Sequence, residues 1–339
     1  MGKENLASLT ITDEFAAKIK AENQKEKLIK RAPLFVLITL IIAFTIARGT
    51  AFASVSNFIA ILNQWSIPLL VSLGLTFVIV LGCIDLSIDG TVGMAGSILS
   101  VLVLNTRTGS DLGIFGAVLA VLASVLIGFL VGFIYVKFKI PSFMVSFCFM
   151  NICIGIAYLS YGGKPAVIQD PLFKSLAKAS FLGIPFITWV AILMLAVCYY
   201  VQEYTALGRH IYAVGTDETI PRAVGVNVDR VKIKVFTLAG LCFGIAGMVG
   251  AIRLGQGQAA IGTNLMFPAQ AAVVIGGTSL SGGKGGVVNT VVGTLIMTVL
   301  ENGLTMLGVN PYIKTGIQGA IILVAVALTV KRGLTVISK

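Results

Sequence analysis

The stretch GIFGAVLAVLASVLIGFLVGFIYV, residues 113–136, decides the fold because it contains no charged side chain. A helix that crosses a bilayer needs about 17–25 predominantly apolar residues, so this segment alone is long enough to span a membrane. The whole chain has the same character, with 57% hydrophobic and 12% charged residues. Soluble domains have about 45–50% apolar and about 25% charged residues. The sequence therefore predicts an integral membrane protein and excludes a soluble enzyme with one anchor.

Apolar runs of this kind recur along nearly the whole length, which predicts an all-α, polytopic transmembrane helical bundle. The eighth run is shorter and rich in Gly and Ser, as in a span that is tilted, broken or re-entrant. The ten predicted spans are residues 32–48, 65–83, 88–105, 113–136, 141–160, 185–203, 232–254, 268–281, 287–307 and 312–330.

Lys and Arg residues indicate the orientation of the bundle, because short cytoplasmic loops are enriched in them. With the N-terminus inside, some of these residues fall in the long outside loop 161–184, where the rule is weakest. The extracytoplasmic segments hold only seven of the 25 Lys and Arg residues: Arg48, Arg107, Lys164, Lys174, Lys178, Arg253 and Lys314. We therefore expect both termini in the cytoplasm. Because the basic residues alternate with the spans, the net charge of +11 does not indicate a nucleic-acid partner.

The resulting layout is one transmembrane domain, 32–330, with a cytoplasmic tail at each end, 1–31 and 331–339. Residues 1–31 form either an amphipathic surface helix or a solvated tail that sets the orientation. The largest inside loop is 204–231. No soluble domain fits, because hydrophilic segments of about 25–30 residues are well below the usual domain minimum.

The five cysteines lie in or beside apolar runs, and no pair has the spacing of metal ligands. An odd number excludes a complete disulfide set, so we interpret them as small buried hydrophobic residues. The single histidine, His210, leaves no His-based metal site or catalytic triad within one chain. The sequence therefore predicts no catalytic residue, no metal site and no cofactor bound by this chain.

The loop 204–231 contains the punctuation signals of a short helix. Thr219 is suited to cap it, Pro221 to its first turn and Gly225 to its C′ position. A short helix lying along a membrane face can dock into a groove of a partner. An ordinary loop with one turn of helix is the alternative interpretation.

The segment GGTSLSGGKGG, residues 276–286, is glycine-rich in the manner of a phosphate-binding loop. Such a loop needs Gly, four residues and then Gly-Lys-Ser/Thr. Here Thr278 occupies the first Gly position, and Gly285 follows Lys284. We interpret the segment as a tight turn between two spans, so the chain contains no energy-converting motif of its own.

Two carboxylates, Asp85 and Asp89, lie at a predicted membrane boundary. They either belong to a solute pathway or cap the following helix, where a negative charge favours the positive end of the dipole. The adjoining Leu-Ser pair at 86–87 echoes the pair at 280–281, with a glycine upstream in both cases. This echo is compatible with an internal repeat of the kind that transporters use.

Glu301 and Asn302 place a carboxylate and an amide well inside the ninth span. Such residues face a cavity or a partner helix, so lining a pathway and forming a structural hydrogen bond both remain open. The glycines at 128 and 132, and those at 240, 244 and 247, predict close packing between helices.

Four segments occur in the order and spacing of one known family. They are IDLS (84–87), GRHIYAVG (208–215), GVNV (225–228) and GGTSLSGGKG (276–285). Over residues 55–330 the chain resembles the ribose-type sugar permeases of bacterial ATP-binding-cassette (ABC) importers. That family lies within the superfamily that also holds branched-chain amino-acid permeases.

The resemblance implies a permease subunit of the bacterial cytoplasmic (inner) membrane with several partners. A second copy of itself or a related permease would enclose the pathway, and ABC ATPase subunits beneath would bind the ATP and Mg. An extracytoplasmic sugar-binding protein would deliver the solute. Segment 208–227 resembles the part that couples such permeases to the ATPases. The candidate coupling residues are Gly208, Arg209, Ala213, Gly215, Asp217, Glu218, Arg222 and Gly225, and the candidate pathway or gate residues are Asp85, Ser87, Glu301 and Asn302.

The chain departs from the family pattern at a few positions. Thr216-Asp217 stands where members often have Gly-Asn, and Ile220-Pro221 stands where they often have Ala-Ala. Because Pro221 cannot donate a backbone hydrogen bond, we expect the coupling helix to start later than usual. Cys83 replaces a common glycine, and Asp89-Gly90 stands near a usual Gly-Ser. These departures weaken the assignment of a particular sugar.

The main alternative is an ion-coupled secondary transporter of a small polar solute. It needs charged coupling residues inside the spans, which are nearly bare apart from Glu301. A channel would show a repeated polar pore motif, and a membrane enzyme would show a His or Cys constellation. Ribose, galactose, other monosaccharides, the furanosyl signal autoinducer-2 and nucleosides all remain open as cargo.

Overall fold

The computed structural model describes residues 32–329, and the predicted tails 1–31 and 331–339 lie outside the described residues. The described part is helical almost throughout, which confirms the all-α polytopic bundle. The α-helices are α1 (32–48), α2 (Val55–Val80), α3 (Ile88–Leu102), α4 (Gly113–Phe138), α5 (Ser142–Tyr161), α6 (Pro171–Lys178), α7 (Phe186–Tyr204), α8 (Ala206–Thr216), α9 (Thr219–Ala223), α10 (Val228–Leu254), α11 (Met266–Ile275), α12 (Val287–Met306) and α13 (Pro311–Thr329). Two short antiparallel pairs join β1 (Ala166–Val167) to β4 (Gln256–Gly257) and β2 (Ser180–Phe181) to β3 (Ile184–Pro185).

A helix overlaps each of the ten predicted spans, although α11 ends at Ile275, before the predicted end of the eighth span at residue 281. In the described part, 7 helices are long and apolar enough to cross a membrane, namely α1 with its 3-10 extension, α2, α4, α5, α7, α10 and α12. α3 has 15 residues and α11 has 10, so they are about 22 and 15 Å long. Both are shorter than a hydrocarbon core of about 30 Å. The number of crossings and the cytoplasmic location of the termini stay predictions.

α2 begins earlier than the sequence suggested. The second span was expected from residue 65, but the helix starts at Val55, where the side chain of Ser54 accepts a hydrogen bond from the backbone N–H of Asn57. The expected start was wrong because the polar residues Asn63 and Gln64 interrupt the apolar run. Both are only partly exposed. Two amide side chains therefore lie inside a membrane-length helix.

α10 forms the centre of the bundle and packs against α2, α3 and α4. Its contact with α4 is made through glycines: a Cβ added to Gly128 would lie 3.0 Å from the Cα of Gly240. Gly247 similarly meets α3, where an added Cβ would lie 2.7 Å from the Cβ of Ala95. The predicted close helix packing is confirmed, since side chains larger than hydrogen do not fit at these crossings.

The loop 161–184, which the sequence predicts to lie outside, contains α6 and part of the two short strand pairs. The side chain of Asp170 caps α6 by accepting a hydrogen bond from the N–H of Leu172 at 2.8 Å. The pairing of β1 with β4 connects this loop to the C-terminal end of α10. The loop is therefore structured and covers one end of the bundle.

The cysteines are free, and four of the five are buried. Cys148, on α5, is exposed, so the interpretation of every cysteine as a buried hydrophobic residue is wrong at this position. Cys198 of α7 and Cys242 of α10 lie with their Sγ atoms 4.0 Å apart in the core. Across the described residues, no group of three or more His, Cys, Asp or Glu side chains is arranged to hold a metal ion.

Candidate functional site

Three segments that are far apart in the sequence meet at one end of the bundle, and we call this place the glycine junction (residues 80–82, 215–216 and 282–283). A Cβ added to Gly215, at the end of α8, would overlap the carbonyl oxygen of Val80, at the end of α2. The N–H of Gly283 donates to that same oxygen at 2.8 Å. A Cβ on Gly282 would lie 3.0 Å from the Cα of Gly82. The contacts join backbone to backbone, so the junction requires glycine.

Side chains beside the junction connect α8 and the end of α7 to the start of α12. The first turn of α8 is capped by Thr205, whose Oγ1 accepts from the N–H of Gly208 at 3.2 Å. The hydroxyl of Tyr212 donates to the carbonyl of Gly285 at 2.8 Å. Gln202 Oε1 accepts from the N–H of Val287 at 2.7 Å. Burial raises the pKa of Tyr212 to about 12, so its hydroxyl keeps the proton that it donates.

The predicted coupling loop 204–231 contains two helices, α8 and α9, where one short helix was expected. The expected cap was wrong: Thr219 is the first residue of α9, and Asp217 Oδ1 accepts from its N–H at 2.8 Å. The predicted C′ glycine is confirmed, because Gly225 follows the C-terminal cap of α9 with φ of 85°. The first N–H of α9 is therefore bonded by the carboxylate of Asp217, which precedes the helix, and not by the hydroxyl of Thr219.

An ion pair connects this segment to the membrane helices. Lys232 Nζ, on α10, lies 2.8 Å from Glu218 Oε1, and its side chain is only 11% exposed. The same ammonium lies 4.9 Å from the centre of the Tyr135 ring on α4. The hydroxyl of Tyr135 accepts from Cys83 Sγ at 3.5 Å. Glu218 is thereby linked to α4, to α10 and to the segment that follows α2.

The solvent-facing side of α9 and of its C-terminal cap carries exposed apolar residues. Ile220 is 65% exposed and Val224 is 76% exposed. Arg222, between them, forms an exposed ion pair of 3.1 Å with Asp229. Arg209 and Ala213, on the exposed side of α8, also face solvent. An apolar pair with charged neighbours is typical of a surface that another protein covers.

The segment 81–87 is unwound and runs along α5 from its end toward its middle. The N–H of Ile84 donates to Ser142 Oγ at 3.2 Å, and the N–H of Leu86 donates to Ser146 Oγ at 2.9 Å. Farther along, Gly90 of α3 packs directly on the backbone of Met150. α3 therefore begins near mid-height of a membrane-length helix. Irregular backbone at such depth is tolerated only where protein or a water-filled cavity surrounds it.

The two carboxylates of this segment have different roles in the structure. Asp85 is buried, and its Oδ1 accepts from the N–H of Ser87 at 2.8 Å, at the start of α3. Asp89 lies in α3 but caps α11, because it accepts from the N–H groups of Asn264, Leu265 and Met266 at 3.2, 3.2 and 2.8 Å. Asp85 thus bonds the residue that precedes α3, whereas Asp89 lies in the first turn of α3 and caps α11. The two half-length helices, α3 and α11, therefore begin beside each other.

A second group of polar residues lies between α2, α11 and α12. Asn302 is buried and donates through Nδ2 to Gln64 Oε1 at 3.5 Å, whereas the adjacent Glu301 is exposed. The sequence did not identify Gln64, because the expected span began one residue later. Among the described residues, Asn63 Oδ1, Gln270 Nε2, Thr298 Oγ1 and Asn302 Oδ1 are buried without a hydrogen-bond partner. Unpaired polar atoms at such depth are costly and are typical of functional positions.

Seven membrane-length apolar helices and two half-length helices that begin beside each other describe a polytopic membrane protein with features of a transporter. Residues 57–326 match the family described as branched-chain amino acid transport system / permease component. The chain belongs to this family. It is a multi-pass protein of the cytoplasmic membrane.

Several curated proteins are similar over most of their length. The ribose import permease protein RbsC of Haemophilus influenzae is 34% identical over 297 residues, which cover 86% of this chain and 90% of that protein. RbsC of Escherichia coli K12 is 33% identical, with 91% and 96% covered. The galactose/methyl galactoside import permease protein MglC of the same strain is 32% identical, with 91% and 97% covered. No solved structure matches the chain.

Proposed function

We propose that this chain is the membrane-spanning subunit of an ABC importer that translocates a monosaccharide delivered by an extracytoplasmic binding protein. Similarity to ribose and galactose import permeases over about nine-tenths of the chain supports a sugar as cargo. The family name also mentions branched-chain amino acids, but the similar permeases named above carry sugars. Two such subunits, with two ATPase subunits beneath them, complete the proposed transporter.

The observation that supports coupling best is the glycine junction. α8 contacts the end of α2 and the glycine-rich segment before α12 through backbone atoms, so we expect a displacement of α8 to displace both. Glu218 and Lys232 provide a second connection, to α10. An ATPase that binds α9 differently before and after closure can therefore shift the membrane helices, as a change of state requires a differential interaction.

We assign the contact with the ATPase to the exposed apolar side of α9, formed by Ile220 and Val224. Apolar side chains at the centre of an interface and charged ones at its rim are the usual arrangement, and Arg222 fits the rim. The double substitution Ile220→Asp and Val224→Asp should abolish co-purification of the ATPase. Leu182→Asp is the matched control, since Leu182 is 78% exposed in the outside loop.

We assign the solute pathway to two groups of polar residues, which we call the polar levels. The first contains Asp85 and Ser87 beside the starts of the half-length helices, and the second contains Glu301 and Asn302 on α12. Half-length helices whose ends meet at mid-depth are a common way to build a transporter site. On α5, Asn151 is exposed midway along the helix, and contact with lipid would be unfavourable there. This face of α5 therefore suits the second subunit or the aqueous pathway.

The decisive experiment is reconstitution of the chain in proteoliposomes with its ATPase and binding protein, followed by uptake of labelled ribose, galactose and leucine. We expect uptake of a monosaccharide, and of no amino acid, that requires ATP and the binding protein. Uptake by the chain alone, driven by a proton or sodium gradient, would instead establish the secondary transporter. Uptake of leucine with ATP would contradict the sugar assignment while leaving the importer intact.

A further inference from the structure

An apolar groove lies between α4, α6, α7 and α10, away from the glycine junction and from both polar levels. It encloses about 550 Å³, within the range of small-molecule sites. Every side chain that lines it is apolar. The lining includes Val121, Val125, Phe173, Leu176, Val190 and Met248.

Water is a poor occupant of this groove, because a buried water needs two to four polar partners. The surroundings indicate what fills it instead. On α4, the residues around the groove are highly exposed, with Phe115 at 78% and Leu122 at 54%. A membrane-length helix with exposed large apolar side chains faces lipid, so the groove opens onto the hydrocarbon region of the bilayer.

α6 covers the groove as its roof, and this helix is amphipathic. Phe173 and Leu176 point into the groove, whereas Lys174 and Lys178 are exposed. The two lysines are four residues apart and therefore lie on one side of the helix. Near the start of α7, the indole N–H of Trp189 donates to the carbonyl of Phe181, in the strand that follows α6, at 3.2 Å. Amphipathic aromatic rings and basic side chains together are typical of the headgroup level of a membrane.

We propose that this groove is a binding site for a membrane phospholipid with an anionic headgroup. One acyl chain occupies the groove, and the phosphate lies against Lys174 and Lys178 on the roof. The groove matches such a lipid in polarity and in charge. Its apolar lining suits an acyl chain, and the two lysines at the bilayer surface attract an anionic headgroup. The site is independent of the solute and of the ATPase contact.

The test uses the full chain, purified in a mild detergent and exchanged into nanodiscs of phosphatidylglycerol or of phosphatidylcholine. Native mass spectrometry counts the retained lipids, and thermal unfolding measures their effect. We expect one tightly retained phosphatidylglycerol. Val190→Trp fills the groove and should abolish retention. Val197→Trp, the same change two turns along α7 and outside the groove, should leave it intact.

Charge reversal separates the headgroup from the acyl chain. Lys174→Glu with Lys178→Glu should weaken retention of phosphatidylglycerol about tenfold and leave retention of phosphatidylcholine unchanged. Lys164→Glu, in the same outside loop, is the matched control. The reversed side chains are exposed, so this variant folds even if the tryptophan variant does not. Equal retention of both lipids by every variant, or a protein subunit co-purifying on the groove, would overturn the proposal.

Discussion

Replacing Gly215 by alanine is the smallest change that tests whether the glycine junction transmits movement. The added methyl group overlaps the carbonyl oxygen of Val80 and lies 2.8 Å from the backbone nitrogen of Gly283. Both neighbours are main-chain atoms that are held by the hydrogen bond between them. Neither can move aside as a flexible side chain would. We therefore expect α8 to separate from α2.

The magnitude follows from two contributions. Inserting a methyl group into a packed contact costs about 1–3 kcal/mol. Loss of the hydrogen bond between Gly283 and Val80 costs about 1 kcal/mol more. Together, about 2–4 kcal/mol is removed from the docking of α8, and each 1.4 kcal/mol corresponds to about tenfold in an equilibrium constant. Uptake should fall at least about tenfold.

The assay compares ATP hydrolysis with solute uptake in proteoliposomes that contain the complete transporter. Gly215→Ala should still co-purify with the ATPase, because α9 is unchanged, but hydrolysis should no longer drive uptake. Gly109→Ala is the matched control, since nothing lies within 4 Å of a Cβ at Gly109 and its φ is not positive. Normal uptake together with an unchanged thermal midpoint in Gly215→Ala would refute the role of the junction.

Three further predictions concern topology, nucleotide and the ion pair. On a cysteine-free background, Lys164→Cys should react with an impermeant reagent from outside, and Arg230→Cys only from inside; labelling of position 230 in sealed cells would contradict the orientation. The purified chain should neither bind nor hydrolyse ATP, and a hydrolysis rate that disappears in Lys284→Ala would contradict this. Glu218→Ala should lower the free energy of unfolding by about 1–3 kcal/mol, because it leaves the largely buried ammonium of Lys232 unpaired while Glu218 itself is partly exposed. Adding Lys232→Met should restore part of that loss, and two additive losses in the double-mutant cycle would show that the two side chains do not interact.

Much of the fold could be predicted from the sequence because span length is set by the bilayer. The run 113–136 alone indicates a membrane helix, and α4 covers it completely. The start of α2 could not be predicted, because Asn63 and Gln64 are polar and their burial depends on a helix more than two hundred residues away. Local composition does not record such tertiary contacts.

The candidate site was predictable in its parts and not in its arrangement. Gly282 belongs to a predicted tight turn, Gly215 to the predicted coupling segment, and Gly82 lies just before the IDLS segment, but these patterns do not reveal which backbone lies against each glycine. Asp89 likewise had the chemistry of a helix cap, and the helix that it caps begins at Met266, which only the tertiary fold brings near. The roles of all these residues in transport stay predictions.

The capping of α11 by Asp89 has a consequence for biogenesis. α11 is too short to cross the hydrocarbon core, and its first N–H groups would be left without acceptors at mid-depth. We therefore expect release of this segment into lipid to be unfavourable before the N–H groups are paired. The segment should stay inside the nascent bundle until it reaches the carboxylate of Asp89, which is synthesised earlier in the chain. Asp89→Ala should accordingly appear first as a protein degraded during synthesis, before any defect in the mature transporter can be measured.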